Sequence, residues 1–345
     1  MIYVINPLQD RRWDELVDRH PQASVFHQRG WLEALIRTYR YEPFALTTTP
    51  PGESLRNGIV LCRIESWLTG ARLVSLPFAD HCEVLASDLS DYKHFIGWLI
   101  AECDRRGYRY VELRSLSVPQ AAQNYLRCDR SYCFHELDLT PSVEQLFRSL
   151  HRDSIQRRIR RAENAQLSYE QGRSERLVSE FYRLMVMTRR RHYLPPQPRI
   201  WFNNLIECMG RRAELKVVRN NGVAIAAMLT LQHRSCIVYK YGCSDEKFHQ
   251  LGGMPFLFWR LIKESKASGV ERIDLGRSDL DTPGLIAFKD RFGGIRRPLT
   301  YYRYAQSSSL SVVGRTGKRA MKQLFSVLPR DVLPIVGKLL YRHMG

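Results

Sequence analysis

Apolar runs and chain breaks occur in the same order in the two halves of this 345-residue chain. The pair Asn57-Gly58 precedes two β-like runs in the first half, and the pair Asn221-Gly222 does so 164 residues later. Asn-Gly pairs are typical of turns that lead into strands. The β-like runs that follow cover residues 59–61 and 72–78 in the first half and 223–231 and 235–242 in the second.

An amphipathic helix and a further strand complete each repeat. Apolar side chains recur at helical spacing before Gly107 and again before Gly269, and each glycine is placed to end its helix. A short alternating strand pattern follows at residues 110–113 and 270–275. The chain is therefore predicted to be a duplicated α/β domain, in which each copy has a mixed sheet with helices packed on its faces.

The boundary between the two copies is predicted at Thr140-Pro141-Ser142. Ser142 is a suitable N-cap for a new helix, because its side chain can accept a bond from an amide of the first turn. The predicted domains are residues 1–140 and 141–306, and residues 307–345 form a tail that belongs to neither repeat.

The tail is strongly basic. From Leu310 to Gly345 it has seven Lys or Arg residues against Asp331 alone, a formal charge of +6, and apolar residues at helical spacing lie among them. Two interpretations fit this pattern. The tail lies as a basic amphipathic segment on an anionic membrane surface, or it packs back onto the second domain.

The whole chain carries a net charge of +18, which favours phosphate-bearing ligands, nucleic acid or an anionic membrane as partners. Arginines are concentrated in a predicted helix over residues 143–163 and again at Arg189-Arg190-Arg191. These clusters are predicted to bind phosphates. The alternatives are a solvated helix face for the first and cations that complement a helix dipole for the second.

Cysteine spacing and hydropathy indicate the environment of the protein. No two of the eight cysteines have the short spacing of a zinc site, so we expect no metal and interpret them as free thiols in a reducing cytosol. The N-terminus shows no apolar signal core, and no segment approaches about 20 apolar residues. The predicted location is cytoplasmic, with peripheral contact at the inner face of the membrane if the tail binds there.

The segment from Arg272 to Gly294 has the richest candidate chemistry. A predicted strand ends in Asp274-Leu275-Gly276-Arg277, and ligand sites in α/β sheets are common where strands end. Phe288-Lys289 then places a cation beside an aromatic ring. Such a lysine can stabilise a phosphate or the oxyanion of a tetrahedral intermediate. The alternative interpretation is a surface lysine that flanks a buried phenylalanine.

Several of these motifs together resemble the FemAB-like branch of the GNAT superfamily. This branch includes the BioF2-like acetyltransferase domains found beside exopolysaccharide genes and, more distantly, the Fem peptidyltransferases that add amino acids to peptidoglycan precursors. The resemblance spans roughly residues 20–305 and implies two tandem GNAT-like domains, each with a mixed, mostly antiparallel sheet flanked by helices. The motifs are Phe26-His27-Gln28 with Trp31, residues 75–80, residues 274–277, Gly284-Leu285 and Phe288-Lys289.

The resemblance also implies roles for individual residues. Lys289 matches the lysine thought to stabilise the transfer intermediate, with Phe288 beside it, and Asp80 matches an aspartate proposed as the base. A phosphorylated acceptor is expected to bind to arginines and to one of two tyrosines, and we add the polar residues at the predicted strand end to this group. The predicted substrate-binding residues are Arg189, Arg190, Arg191, Tyr239, Tyr241, Asp274 and Arg277.

The acyl donor implied by the resemblance is acyl-CoA, with acetyl-CoA the expected form. GNAT enzymes bind its pyrophosphate at the N-terminus of a helix after a glycine-rich loop, and this chain has Gln250, Gly252 and Gly253 in that place. Pro255 at an early helical position leaves the neighbouring amides free for phosphate. The alternative is an ordinary glycine-rich turn.

The predicted function is transfer of an acyl group from acyl-CoA to an amine or hydroxyl of a sugar, a lipid-linked sugar or a cell-envelope or exopolysaccharide precursor. One alternative takes the acyl group from aminoacyl-tRNA, with the Arg-rich helix along the RNA backbone. The other is a non-catalytic GNAT-like scaffold in polysaccharide assembly that uses the basic tail.

Overall fold

The computed structural model describes residues 1–86, 88–305 and 332–345. Strands and helices cover most of this length. The strands are β1 Tyr3–Ile5, β2 Glu42–Thr47, β3 Ile59–Ile64, β4 Arg72–Val74, β5 Val111–Leu113, β6 Arg127–Asp138, β7 Ser168–Gly172, β8 Ala213–Asn220, β9 Val223–His233, β10 Cys236–Ser244, β11 Arg272–Asp279 and β12 Ile295–Tyr304. The helices are α1 Arg11–Arg19, α2 Arg29–Tyr39, α3 Leu89–Arg106, α4 Gln120–Gln123, α5 Val143–Ser149, α6 Arg157–Asn164, α7 Glu175–Arg191, α8 Arg199–Met209, α9 Gly253–Ala267, α10 Pro283–Arg291 and α11 Val332–Tyr341.

The described residues form two compact units. The N-terminal unit consists of Met1–Tyr132 together with residues 298–305 and Lys338–Gly345. The C-terminal unit consists of Cys133–Arg297 together with residues 332–337. The N-terminal unit therefore includes chain from the last part of the sequence, through most of β12 and the last eight residues.

The sheet of the N-terminal unit has the strand order β1-β2-β3-β4-β5-β12. Neighbouring strands are antiparallel except β4 and β5, which are parallel. Helix α3 packs on this sheet, and its Phe95, Ile96 and Leu99 share a core with Leu61 and Leu73. Each such buried side chain contributes about 1.5–3 kcal/mol, so this face of α3 fixes the helix on the sheet.

The sheet of the C-terminal unit has the strand order β6-β11-β10-β9-β8-β7. Strands β7 to β10 are antiparallel, and β10 and β11 are parallel. Helix α9 is the counterpart of α3: its Phe258, Leu261 and Ile262 pack with Met228 and Ile273 in the core of this unit. The predicted apolar faces of both helices are thus the faces that are buried.

The two units repeat one arrangement of elements, and the predicted duplication is confirmed. In each, a strand, a helix and a second strand parallel to the first follow one another, as β4-α3-β5 and β10-α9-β11. Gly107 ends α3 in the left-handed region at φ 65°, and Gly269, at φ 77°, follows the last turn of α9. The Asn-Gly turns of the two units differ. Asn221-Gly222 forms the whole connection between β8 and β9, whereas Asn57-Gly58 is the end of a longer connection between β2 and β3.

The prediction of a single Arg-rich helix over residues 143–163 is wrong, because the structure has two shorter helices there. Helix α5 ends at Ser149, a π-helical turn covers Arg152–Gln156, and α6 follows. The helix is interrupted because Leu150 is extended, at φ −65° and ψ 141°. In addition, the His151 amide donates to the carbonyl of Arg291 at 2.9 Å instead of continuing the helix.

Most of the predicted basic tail lies outside the described residues, including Arg315, Lys318, Arg319, Lys322 and Arg330. Its described end contains α11, and its last residues belong to the N-terminal unit. In the part of the chain that the structure describes, no helix is both long and apolar enough to cross a bilayer.

Candidate active site

Strands β10 and β11 of the C-terminal unit separate after a short parallel pairing. The register joins Cys236–Val238 to Arg272–Asp274, and the strands continue beyond it to Ser244 and Asp279. The carboxyl ends of two parallel strands lie at the same edge of a sheet, and this edge is where α/β proteins usually bind ligands. A ligand site is therefore expected at the loop after β10 and the turn within β11.

Lys289 on α10 reaches the part of β11 that lies just beyond its pairing with β10. Its side chain is 3% exposed, and its Nζ donates to the carbonyl oxygens of Gly276 at 2.9 Å and Arg277 at 3.0 Å. A buried ammonium group needs acceptors of this kind in place of water. Lys289 is thus a fixed, buried group and not the surface lysine of the alternative interpretation.

Phe288 anchors the helix that carries this lysine. Its ring lies edge-on to Phe258 and Phe292, with centroids 5.4 Å and 5.0 Å away. Adjacent helical residues point about 100° apart, so Phe288 enters the core while Lys289 points to the strand end. The aromatic neighbour therefore sets the position of the lysine through packing.

Asp274 supports the turn that holds Lys289. It is buried, and its Oδ1 accepts a hydrogen bond from the Gly276 amide at 2.6 Å. Gly276 has φ 69°, a conformation that glycine adopts without strain, and its carbonyl is one of the two acceptors for the lysine. Two of the residues predicted to bind substrate therefore have structural contacts here. The side chain of Asp274 bonds to its own turn, and the backbone carbonyl of Arg277 is the second acceptor for Lys289.

Two further polar residues, a histidine and an aspartate, lie beside Lys289. Neither was predicted from the sequence. His135 is fully buried on β6, and its Nε2 lies 3.2 Å from Oδ1 of Asp290, which also accepts from Arg296 Nε at 2.7 Å. Burial lowers the pKa of His135, although the bond to Asp290 acts in the opposite direction. Asp290 could have been recognised as a candidate from the sequence, because it directly follows Lys289.

The segment before α9 comprises residues 246–252, of which Glu246–Leu251 form a 3-10 helix, and we call it the donor loop after its predicted role. A Cβ on Gly252, which has φ 77°, would lie 2.3 Å from the carbonyl oxygen of Arg158, and one on Gly253 would lie 3.1 Å from Ala226 Cβ. Gly252 is required because a backbone carbonyl approaches it so closely, whereas a side chain at Gly253 would need only a small shift of Ala226. The predicted donor residues Gln250, Gly252 and Gly253 thus lie together at the N-terminus of α9.

Arginines from both Arg-rich segments meet at the donor loop. Arg161 on α6 donates to the carbonyl of Gln250 at 3.0 Å, and Arg191 at the end of α7 lies 3.3 Å from His249 Nε2. Burial lowers the pKa of His249, and Arg191 and Arg158 lower it further. We call Arg158, Arg161 and Arg191 the basic cluster; Arg189 and Arg190 lie on the same last turn of α7.

The predicted tyrosines Tyr239 and Tyr241 lie on opposite faces of the sheet. A β-bulge at Lys240 places Tyr239 opposite Thr230 and Tyr241 opposite Leu229, so the alternation of faces is reversed between them. Tyr239 packs on Phe258, 4.5 Å between ring centroids, on the α9 side. The hydroxyl of Tyr241 accepts bonds from Gln197 and Trp201 near α8, at 2.8 Å and 3.0 Å.

Asp80 lies in the N-terminal unit on a loop with unusual backbone geometry. Leu76 and Phe78 have φ of 57° and 60°, in the left-handed region that costs a non-glycine residue about 1–2 kcal/mol. For this reason the β-like run predicted over residues 72–78 ends at Val74. Strained backbone of this kind is concentrated at functional sites, which keeps Asp80 as a candidate.

Neighbouring side chains hold this strained loop in place. Tyr301 Oη donates to the carbonyl of Asp80 at 2.7 Å, and Arg114 Nη1 donates to the carbonyl of Leu76 at 3.0 Å. The Arg114 guanidinium also lies over the Tyr301 ring, 5.1 Å from its centroid. The loop is therefore tied to the ends of β5 and β12.

Gly252→Ala is expected to lower stability by at least about 2 kcal/mol, because the new Cβ meets a backbone carbonyl and φ is positive. Gly222→Ala is the matched control: Gly222 has φ 79° in the same unit, but nothing lies within 4 Å of its added Cβ. Thermal unfolding measures both. Equal losses for the two variants would contradict the close packing of the donor loop on α6.

Residues 149–289 match the family model described as acetyltransferase (GNAT) domain. The matched segment contains the donor loop, the basic cluster and, as its last residue, Lys289. Among the residues that the structure describes, no group of three or more His, Cys, Asp or Glu could hold a metal ion. No match was found among curated proteins.

Several solved structures have a similar fold. A structure of FemX is 13% identical, with 91% of this chain and 98% of that chain covered and a TM-score of 0.70. The C-terminal domain of a putative lysylphosphatidylglycerol synthetase from Agrobacterium fabrum is 16% identical, with coverage of 91% and 95% and a TM-score of 0.55. A tandem GNAT protein from the clavulanic acid biosynthesis pathway is 9% identical, with coverage of 90% and 100% and a TM-score of 0.53.

The fold is similar to that of FemX and of the tandem GNAT protein, and residues 149–289 match a GNAT domain. At these identities the structural likeness concerns the fold alone. The predicted resemblance and the two tandem GNAT-like domains are confirmed at that level. The part of the chain that matches an acetyltransferase domain, residues 149–289, lies wholly within the C-terminal unit.

Proposed function

We propose that this FemAB-like protein transfers an acyl group from acyl-CoA, in the simplest case acetyl-CoA, to an amine or hydroxyl of a sugar, a lipid-linked sugar or another cell-envelope precursor. Exopolysaccharide precursors belong to this class of acceptor. The observation that carries the proposal is the meeting of arginines from α6 and α7 at the donor loop. Both sets of arginines are distant in sequence from the loop, and only the fold brings them there.

The N-terminus of α9 suits a pyrophosphate for two reasons. The first amides of a helix lack partners within the helix and lie at the positive end of its dipole. Arginines add planar donors that bind phosphate oxygens in pairs. Arg158 and Arg161 are exposed beside the loop, so their guanidinium groups are accessible to a ligand.

The donor loop and Lys289 lie at the same edge of the sheet of the C-terminal unit, since each follows the carboxyl end of one parallel strand. In the transfer step the acceptor nitrogen or oxygen forms a bond to the acyl carbonyl carbon and loses its proton to a base. The bond from that carbon to the CoA sulfur breaks, and CoA leaves as a thiol or thiolate. We assign stabilisation of the oxyanion formed between these events to Lys289.

The base for this step stays a prediction. Asp80 is the candidate implied by the resemblance, on its strained loop in the N-terminal unit. Replacing Asp80 by Asn keeps the shape of the side chain and removes its ability to take a proton. The outcome of that replacement does not affect the assignment of the donor loop.

A second candidate donor is aminoacyl-tRNA, and one observation favours it. Helix α6 exposes four arginines within two turns, more than one pyrophosphate requires, and a row of this kind could follow an RNA backbone. The exposed arginines are Arg157, Arg158, Arg160 and Arg161. Acyl-CoA and aminoacyl-tRNA would both place phosphates on the basic cluster. They differ in how many arginines along α6 the bound phosphates would contact.

Replacing Arg158 and Arg161 together by Ala is expected to weaken acetyl-CoA binding by about tenfold or more, since two charge-assisted phosphate contacts are lost. Arg211 and Arg212, an exposed pair elsewhere in the same unit, form the matched control when replaced by Ala. Protection against thermal unfolding by acetyl-CoA, at low and high salt, measures the effect.

Two outcomes separate the donors. Protection of the wild type and the Arg211/Arg212 control by acetyl-CoA, with loss in the Arg158/Arg161 variant, supports acyl-CoA as donor. Salt-sensitive binding of tRNA without any protection by acetyl-CoA supports the second candidate. Equal protection of all three proteins by acetyl-CoA would contradict the assignment of the donor loop.

A further inference from the structure

A turn of the N-terminal unit exposes large apolar side chains to solvent. It joins β3 to β4, and at its tip Trp67 is 87% exposed and Leu68 is 51% exposed. Tryptophan is highly buried on average in folded proteins, so an indole ring this exposed is unusual. An exposed apolar surface next to polar and charged groups is typical of a binding surface.

The last residues of the chain complete this surface. The imidazole of His343 lies edge-on to the Trp67 ring, 5.4 Å between centroids, and its Nδ1 lies 2.9 Å from Ser66 Oγ. Thr69 Oγ1 donates to the His343 carbonyl at 2.9 Å. Met344, the next residue, is 49% exposed. The turn and the chain end are thus joined by side-chain and backbone contacts into one surface, the Trp67 surface.

Exposed basic residues lie on the segments that form or contact the Trp67 surface. Arg109 is exposed and donates to the carbonyl of Thr69 at 3.3 Å, and Arg342 and Lys338 are exposed on the terminal segment. Residues 338–345 contain no Asp or Glu, and Glu65 is the one acidic residue in the turn itself. A partner for this surface should therefore combine negative charge with an apolar layer.

We propose that the Trp67 surface binds the chain to an anionic phospholipid bilayer. Tryptophan favours the headgroup region, because its ring is apolar and its indole N–H can still reach water or a phosphate. Leu68 and Met344 would enter the upper acyl region, and Arg109 and Arg342 would lie at the lipid phosphates. This contact goes beyond the proposed acyl transfer and would bring the protein to acceptors that are attached to lipid.

Co-sedimentation of the full-length protein with vesicles tests the proposal. The vesicles contain phosphatidylglycerol and phosphatidylcholine in equal parts, with pure phosphatidylcholine as the neutral comparison, and no acyl donor is added. Trp67→Ala is expected to lower the partition coefficient onto the anionic vesicles by about tenfold. Tyr125→Ala is the matched control, since Tyr125 is an aromatic residue of the same unit that is 59% exposed; this variant should bind like the wild type.

A second measurement uses the fluorescence of Trp67 itself. Transfer of the indole from water to the headgroup region should shift its emission to shorter wavelength when anionic vesicles are added, and Trp67→Phe should remove that shift while retaining most of the binding. Equal binding of wild type and Trp67→Ala would overturn the proposal. So would self-association that depends on Trp67 in the absence of vesicles, because the surface would then be a protein interface.

Discussion

Lys289→Met is expected to lower the rate of acyl transfer by about 10²–10³-fold. The Nζ group is held between the carbonyls of Gly276 and Arg277, just beyond the pairing of β11 with β10, so its charge is fixed where the strands separate. Methionine keeps most of the side-chain volume and removes the charge. Release of CoA from acetyl-CoA, in the presence of envelope extract from cells that lack the protein, measures the rate.

Lys266→Met is the matched control for this experiment. Lys266 lies in the same unit, and its Nζ also donates to two backbone carbonyls, those of Leu139 at 2.9 Å and Thr140 at 3.2 Å. Both variants lose a lysine that satisfies two carbonyls, at a cost in stability of about 1–3 kcal/mol for the buried Lys289 and less for the half-buried Lys266. A rate unchanged in Lys289→Met, or reduced equally in both, would contradict a catalytic role for Lys289 and would favour a scaffold function.

Glu112→Ala is expected to destabilise the N-terminal unit by about 3 kcal/mol, because it removes a buried carboxylate that two half-buried arginines share, although Arg303 keeps its bond to Asp129. Glu112 on β5 is 2% exposed, and its two oxygens accept from Arg114 Nε and Arg303 Nε at 2.7 Å each. Glu112 and Arg303 are also directly opposite each other in the pairing of β5 with β12. Chemical denaturation of the full chain measures the loss.

Glu42→Ala is the control for this prediction. Glu42 pairs with Arg63 at 2.9 Å, but its side chain is 67% exposed, so its loss should cost less than about 1 kcal/mol. If the two variants lost the same stability, the buried pair would contribute no more than a surface pair, and the account of this network would be wrong.

The same network predicts how stability depends on pH. Burial raises the pKa of Glu112, but Arg114 and Arg303 outweigh this effect and hold it at about 2, below the ordinary glutamate value of 4.5. A pKa lowered in the folded state gives stability that is complete above the unfolded value and is lost as the pH falls towards 2. Glu112→Gln should therefore flatten the pH dependence of stability between about 4.5 and 2.

The duplication could be predicted from the sequence because it rests on local signals. The apolar face of each amphipathic helix, the glycine that ends it and the strand that follows are all encoded within a few turns, and α3 with Gly107 and α9 with Gly269 follow these patterns. The Phe288-Lys289 pair was also evident, since the two residues are adjacent on one helix.

The composition of the candidate site depended on contacts that the sequence does not reveal. The basic cluster at the donor loop joins Arg161 and Arg191 to a segment about 60–90 residues away, and only tertiary packing places them there. A one-residue bulge at Lys240 separates the two tyrosines that simple alternation would place on one face. The burial of Lys289 depends on the turn at Gly276, whose conformation could not be read from its neighbours.

Mass spectrometry of the reaction product tests the central claim most directly. Envelope extract from cells that lack the protein is incubated with isotopically labelled acetyl-CoA and either the wild type or Lys289→Met. We expect a sugar or lipid-linked species that gains one labelled acetyl group with the wild type and much less of this species with the variant. The absence of any labelled species with the wild type, or equal labelling by both proteins, would contradict it.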